Sequence, residues 1–388
     1  MVSDLRSIGL PFLDALSASP SLADRRLWLR VAADCLVAWR RDDPRRQAVV
    51  AAASAILTGA DEATRSAFAR RLAASTETAD ALAMIESLGG ESSLIVLGEA
   101  GLLPRERLVA AVKGSAAQAR AVAGRADLDG ELAARLAERD EIEVAIALAQ
   151  NRRAPIDAER FAALARRAKA RIAESGDRRL ADALLERAPA TVEQAALFLE
   201  ASPIDRGRII AAAQRATLGR RLPIADGGES LRIAARLERA AMAGDWAQFE
   251  NELAEAFGCG PELAARIAAD KSGEPLAVAL AALHAPNDAT VRVLAARDLV
   301  DGGQYRRIAA LARLKEALTP AAARLALAAL IGASTPVAAR RRPQLDPTAA
   351  PTPSRPAAVS KAEPTPAALR RRRAFAFVAA TRRDAERA

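Results

Sequence analysis

A short pattern returns four times along the chain and narrows what it can fold into. Leu103-Pro-Arg-Glu-Arg-Leu108, Leu128-Asp-Gly-Glu-Leu-Ala133, Ile156-Asp-Ala-Glu-Arg-Phe161 and Ile204-Asp-Arg-Gly-Arg-Ile209 each set an aliphatic anchor before a Pro or Asp. A second apolar residue follows five positions after each anchor, as a helix opening on that Pro or Asp would need. The anchors are 25, 28 and 48 residues apart, the last interval close to twice 24. A unit of that length holds two short helices but cannot bury its own apolar face, so neighbours must stack. The pattern reads as a helical solenoid, with an irregular helical bundle as the alternative.

Helix signals continue outside the repeat. Ser21-Leu-Ala-Asp24 can cap a helix in which Trp28, Cys35 and Trp39 share one face. Thr191-Val-Glu-Gln194 is a capping box, and Pro104, Pro261 and Pro320 suit a first helical turn, where the missing N–H costs nothing. Alternating Val, Ile, Thr and aromatic runs are absent, so strands are not expected. The 101 alanines among 388 residues add helix-favouring methyl groups in place of bulky core side chains. The chain is expected to be all-α.

The same residues carry a resemblance. VAGRADLDGELAARLAERDEIEVAIALAQNRRAPIDAERFAALARR is similar to the repeats of HEAT-like helical proteins, especially the bacterial leucine-rich repeat variant type. Residues 91 to 332 resemble a family of uncharacterised bacterial proteins, common in alphaproteobacteria and labelled a domain of unknown function. The elements that carry this are Glu141-Ile-Glu143-Val144, Asn151, Ile156-Asp157 and LFLEASPIDRGRIIAAAQR. The resemblance implies an architecture and supplies no catalytic residue.

Composition sets the boundaries. Residues 1–90 form an N-terminal helical region ending at Gly89-Gly90, residues 91–222 hold the clearest repeats, and 223–332 hold C-terminal helical repeats. Residues 333–366 contain eight of the 20 prolines and no aromatic residue, so they cannot offset ordering entropy by burial and read as a disordered linker. Residues 367–388 can form a short basic terminal helix.

Charge is divided unevenly. The chain carries +9, of which residues 336–388 hold 12 basic and 4 acidic side chains, so the body is nearly neutral. The contact residues expected in the tail are Arg370, Arg371, Arg372, Arg373, Phe375, Phe377, Arg382 and Arg383. They suit docking on a protein partner or the solenoid groove, an anionic membrane surface with the Phe pair inserted, or nucleic-acid phosphates. Arginine outnumbers lysine 52 to 5, which fits bidentate phosphate binding or simply a GC-rich genome.

Isolated residues offer little chemistry. Cys259 precedes a helix start, which would lower a thiol pKa, yet a small residue in a Gly turn reads as structural. His284, the single histidine, reads as a helix C-terminal cation or a partly buried side chain rather than a catalytic base. Asp140, Glu141, Glu143, Glu250 and Glu252 are close carboxylates without ligand spacing and read as solvated helix faces. Gly227-Gly228 and Gly302-Gly303 are inter-helix turns, not phosphate loops. Trp28, Trp39 and Trp246 read as core residues. Two distant cysteines supply no disulfide framework. Asp4, Arg6 and Asp14 break any signal-peptide core, and no apolar run is long enough to span a membrane. The expectation is a cytoplasmic, non-enzymatic helical scaffold that binds a protein partner. No catalytic, cofactor or metal residue is assigned; the alternative is nucleic-acid or anionic-membrane association through the tail.

Overall fold

The computed structural model describes residues 9–17, 21–101, 103–218, 227–297 and 304–332. The linker expected over 333–366 and the terminal helix expected over 367–388 lie outside the described residues. Every regular element among the described residues is a helix. Six helices come first: α1 to α6, over Pro11–Ser17, Leu22–Ala38, Arg45–Thr58, Glu62–Ala73, Ala79–Leu88 and Gly90–Glu99. Three pairs follow: α7 and α8 (Arg105–Lys113, Ala116–Ala123), α9 and α10 (Gly130–Ala137, Ile142–Gln150), and α11 and α12 (Ala158–Ser175, Arg179–Leu185). A 3₁₀ segment, η1 (Val192–Glu200), precedes α13 to α16 over Pro203–Thr217, Gly227–Met242, Trp246–Phe257 and Pro261–Ala269. The described helices end with α17 to α20 over Glu274–Ala282, Asn287–Ala296, Gln304–Ala317 and Pro320–Ile331.

Local chemistry sets many helix starts. Ser21, Asp61, Ser115, Asp129, Asp157, Ser202, Asp245 and Thr319 each accept a hydrogen bond from a backbone N–H of the first turn. Pro261 and Pro320 open α16 and α20, whereas Pro104 is the residue before α7, not within its first turn. The Thr191 capping box is present, but it opens the 3₁₀ segment rather than an α-helix. Gly227 and Gly228 begin α14, so they are helical and not the expected turn.

The repeat pattern has two physical meanings. Asp129 and Asp157 are N-caps, and Leu128 is buried beside the first of them. At the fourth recurrence Ser202 takes the capping role, Asp205 lies in the first turn, and Ile204 is 78% exposed. A shift of the cap by three residues turns the anchor outward, so Ile204 is no anchor at all.

Packing divides the described residues into a ladder and a cluster. Helices α6, α8, α10 and α12 lie side by side in succession, and α7, α9 and α11 form a second row packed on them. Beyond η1 the succession stops: α20 returns to pack on η1, α13 and α17. Residues Pro275 to Ala282 of α17 are all buried, as expected of a helix apolar on every side and surrounded by neighbours. The small side chains Ala322, Ala323 and Ala326 are buried on α20, which lets the helices approach closely. The core has two parts that share α6: Ile95, Val96 and Ala100 belong with the N-terminal helices, and Leu97 with the ladder. Gly89 and Gly90, both at positive φ, make the turn into α6. A Cβ on Gly90 would meet the Glu62 carboxylate at 2.8 Å, and that carboxylate accepts from Ser92 N (2.7 Å) at the helix start.

Candidate functional site

Helix ends, more than any cleft, organise the polar chemistry. The last carbonyls of an α-helix lack intrahelical partners and carry the negative end of its dipole. From α6 to α10 they are met by a side chain from about two helices later, and at α12 and η1 by one from the next element. Arg125 donates to Leu97 O (2.8 Å) and Ala100 O (2.7 Å) at the end of α6, and Arg139 donates to Val112 O and Gly114 O after α7. Asn151 donates to Ala123 O and Arg125 O after α8, and Arg167 to Arg139 O and Asp140 O after α9. Arg187 reaches Ala149 O, Asn151 O and Ala154 O after α10, and Gln194 reaches Leu184 O, Leu185 O and Arg187 O after α12. Arg206 then covers Phe198 O and Leu199 O at the end of η1. A planar guanidinium with several donors suits adjacent carbonyls, which a point-charge ammonium does not.

Carboxylates hold several of these clamps in place. Asp127 grips Arg125 with both oxygens at 2.8 Å, and Glu141 grips Arg139 in the same way. The Arg139 hydrogen bond holds the Glu141 carboxyl down at about 2. Asp270 pairs with Arg206 at 3.0 and 2.9 Å; burial pushes its carboxyl upward, but bonds from Arg206 and Ser272 outweigh this and keep it below the usual range. Among the described residues Arg187 meets carbonyls and no carboxylate, and burial lowers its guanidinium pKa.

One open groove crosses the ladder. It has a volume of about 430 Å³ and runs over α8, α10 and α12. Ile146, Ala147 and Ala183 line it beside Arg120, Glu143, Arg179, Asp182 and Glu186. Arg179 bridges Glu143 (2.8 Å) and Asp177 (3.0 Å), joining α10 to the turn before α12. The groove is therefore lined mostly by polar side chains of both signs, with a small apolar patch among them.

The residues singled out from sequence stand apart from this groove. The tail residues Arg370, Arg371, Arg372, Arg373, Phe375, Phe377, Arg382 and Arg383 lie outside the described residues. Cys259 packs against the core, and burial raises its thiol pKa, the reverse of the helix-start expectation. His284 sits at φ 55°, with Nε2 2.6 Å from Arg324 Nη2. Burial, then Arg324 and Lys315, lower its pKa, so the imidazole accepts as a neutral ring and is not a helix-end cation. Glu141, Glu143, Glu250 and Glu252 are engaged by Arg139, Arg179, Arg297 and Arg236. Among the described residues no group of three or more His, Cys, Asp or Glu side chains is placed to hold a metal ion. Trp28 is fully buried and donates to Leu13 O (2.8 Å), while Arg45 and Arg297 stack on Trp39 and Trp246.

Sequence reasoning missed the clamps, although a signal was present. Arg125 and Arg139 each come two residues after a helix end and two before an acid, as Arg125-Ala-Asp127 and Arg139-Asp-Glu141. Part of the arginine excess thus has a structural use, separate from phosphate binding or genome composition.

A family model described as uncharacterised protein conserved in bacteria (DUF2336) matches residues 93–328, close to the 91–332 span of the resemblance. Its description names neither a repeat type nor an activity. No curated protein and no solved structure matches the chain.

Proposed function

We propose, for a chain that belongs to the DUF2336 family of uncharacterised bacterial proteins, a role as a non-enzymatic helical scaffold that binds another protein. The observation that supports it is the groove across α8, α10 and α12, where a small apolar patch of Ile146, Ala147 and Ala183 lies among Arg120, Arg179, Asp182 and Glu186. A groove of this kind takes a partner helix that carries charges of both signs beside a few apolar side chains, the charges setting its register. The stack beneath is held by side chains clamped on carbonyls, so the groove keeps its shape without a partner. No helix among the described residues is long and apolar enough to cross a membrane. Two free cysteines favour the cytoplasm. HEAT-like classification of the stacked pairs belongs to the same proposal.

The test is capture from the native cell with the full chain, with a chain stopped at Thr335, and with the double variant Asp182→Lys, Glu186→Lys. A partner held by the first two and lost by the third supports the groove. Identical empty captures from all three overturn the scaffold reading.

A second reading rests on the charge partition, since residues 336–388 hold nearly all the net charge. Here Arg370 to Arg373 with Phe375 and Phe377 bind an anionic membrane surface or nucleic acid. Sedimentation with phosphatidylserine vesicles and a gel shift with duplex DNA, each repeated on the chain stopped at Thr335, test it. No binding by the full chain at low salt would end this reading.

A further inference from the structure

The charged side chains that line the groove divide into committed and uncommitted ones. Arg179 is shared between Glu143 (2.8 Å) and Asp177 (3.0 Å), and Asp182 lies 3.6 Å from Arg178. Arg120 and Glu186 line the same groove from opposite walls, the first on α8 and the second at the end of α12. Both are exposed, and neither forms an ion pair or side-chain hydrogen bond among the described residues. The middle helix, α10, packs on both walls and contributes Ile146 and Ala147 between them. With the internal pairs satisfied, the groove presents one free positive charge on one wall and one free negative charge on the other.

Helix spacing converts those two charges into a length. Packed neighbours lie about 8 to 10 Å apart, so α8 and α12 stand about 16 to 20 Å apart across α10. A helix laid over them rises about 1.5 Å per residue and covers that span in about 11 to 13 residues. Eleven residues is also close to three whole turns, which brings the two ends back to one face.

On the scaffold reading, we infer that the groove takes a partner helix with an acidic side chain and, about eleven residues away on the same face, a basic one. The acid meets Arg120, the base meets Glu186, and small apolar side chains between them cover Ile146 and Ala147. A helix carrying a single sign of charge is repelled by one wall. With the acid near its N-terminus and the base near its C-terminus, the partner helix is also stabilised by its own dipole and runs from α8 towards α12. Arg120 and Glu186 are then the residues that select the partner, while Glu143 and Arg179 hold the groove together.

Phage display of a helical peptide of about 20 residues against the full chain tests this. Two positions about eleven residues apart are each varied among Glu, Gln and Lys, on a face otherwise made of Ala and Leu. Opposite-sign pairs are expected to enrich about tenfold over like-sign pairs, and to lose that lead at about 1 M salt. Arg120→Glu makes both walls negative and should shift enrichment to Lys at both positions. Glu186→Arg makes both walls positive and should shift it to Glu at both. Both changes are at exposed positions, and an unchanged thermal melt shows that the fold is intact. A pair preference that is absent, or the same for all three proteins, overturns the proposal. A second library sets the pair about six residues apart with proline between, the spacing at which an extended strand covers the same span. Stronger enrichment there overturns the helix. With the preference absent, a cell partner still lost by Asp182→Lys, Glu186→Lys leaves the groove standing and removes only this partner chemistry; empty captures remove the scaffold reading as well.

Discussion

Arg125→Ala tests the clamp architecture where it bears most weight. The side chain is 2% exposed and donates to two carbonyls at the end of α6, the helix shared by the two parts of the core. Hydrogen bonds from a charged donor contribute about 1.5 to 3 kcal/mol each. Asp127 is 56% exposed and rehydrates when its partner is removed, so no buried-charge penalty is added. The two orphaned carbonyls then predict a loss of about 3 to 5 kcal/mol. Arg125→Lys keeps the charge but cannot serve two carbonyls and a bidentate acid at once, so a loss of about 1 to 3 kcal/mol is expected. Urea unfolding followed by circular dichroism gives the free energies, with exposed Arg152→Ala as a control expected within about 0.5 kcal/mol of wild type. Trp28 lies in the N-terminal part of the core and Trp246 packs on the other, so Trp246→Phe makes fluorescence report the N-terminal helices. In an Arg125→Ala background that signal should separate from the circular dichroism transition. An Arg125→Ala midpoint equal to wild type, or full rescue by lysine, would refute the clamp argument.

Three further outcomes follow from particular contacts. His284 has a pKa below its unfolded value, so the unfolded chain binds the proton first and stability is lost as pH falls below about 6.5, by at most about 1.4 kcal/mol per unit. His284→Asn, which tolerates the positive φ, should flatten the urea midpoint between pH 7.5 and 5.5; an unchanged slope would sink this assignment. Gly90→Ala should cost about 1 to 3 kcal/mol, because it strains a φ of 75° and displaces the Glu62 carboxylate from Ser92 N; thermal melts read the loss, and a neutral result would show that the turn relaxes. Burial raises both thiols, so Cys35 and Cys259 should react with a disulfide reagent at pH 7.5 more slowly than a free cysteine, and rapid labelling of Cys259 would restore the idea of an activated thiol.

The contrast between Asp157 and Asp205 shows how far local signals reach. Both follow an isoleucine and precede an arginine-bearing first turn, but Ser202 stands three residues before Asp205 and takes the cap. The sequence contained that competing serine, and reading caps before anchors would have found it. Nothing local could have predicted that Arg266 pairs with Glu200, 66 residues earlier in the chain. Arg178 and Arg179 illustrate the same limit: adjacent residues, one joins Glu200 and the other Glu143, on different elements.

Helix content, many helix starts and the concentration of charge in residues 336–388 were determined by the sequence itself. Each depends on residues within a turn of one another or on a count: a capping side chain, a proline, apolar spacing, a run of arginines. Helix neighbours were not. Alanine methyl groups are alike at every register, so they identify a packed face without naming its partner. Tertiary structure decided that α20 returns to η1 and α13, that Gln214 reaches Ala317 O across 103 residues, and that the clamps from Arg125 to Arg187 meet carbonyls 25 to 39 residues earlier. Those contacts form only once the chain has stacked, because their donors and acceptors are brought together by packing and not by adjacency.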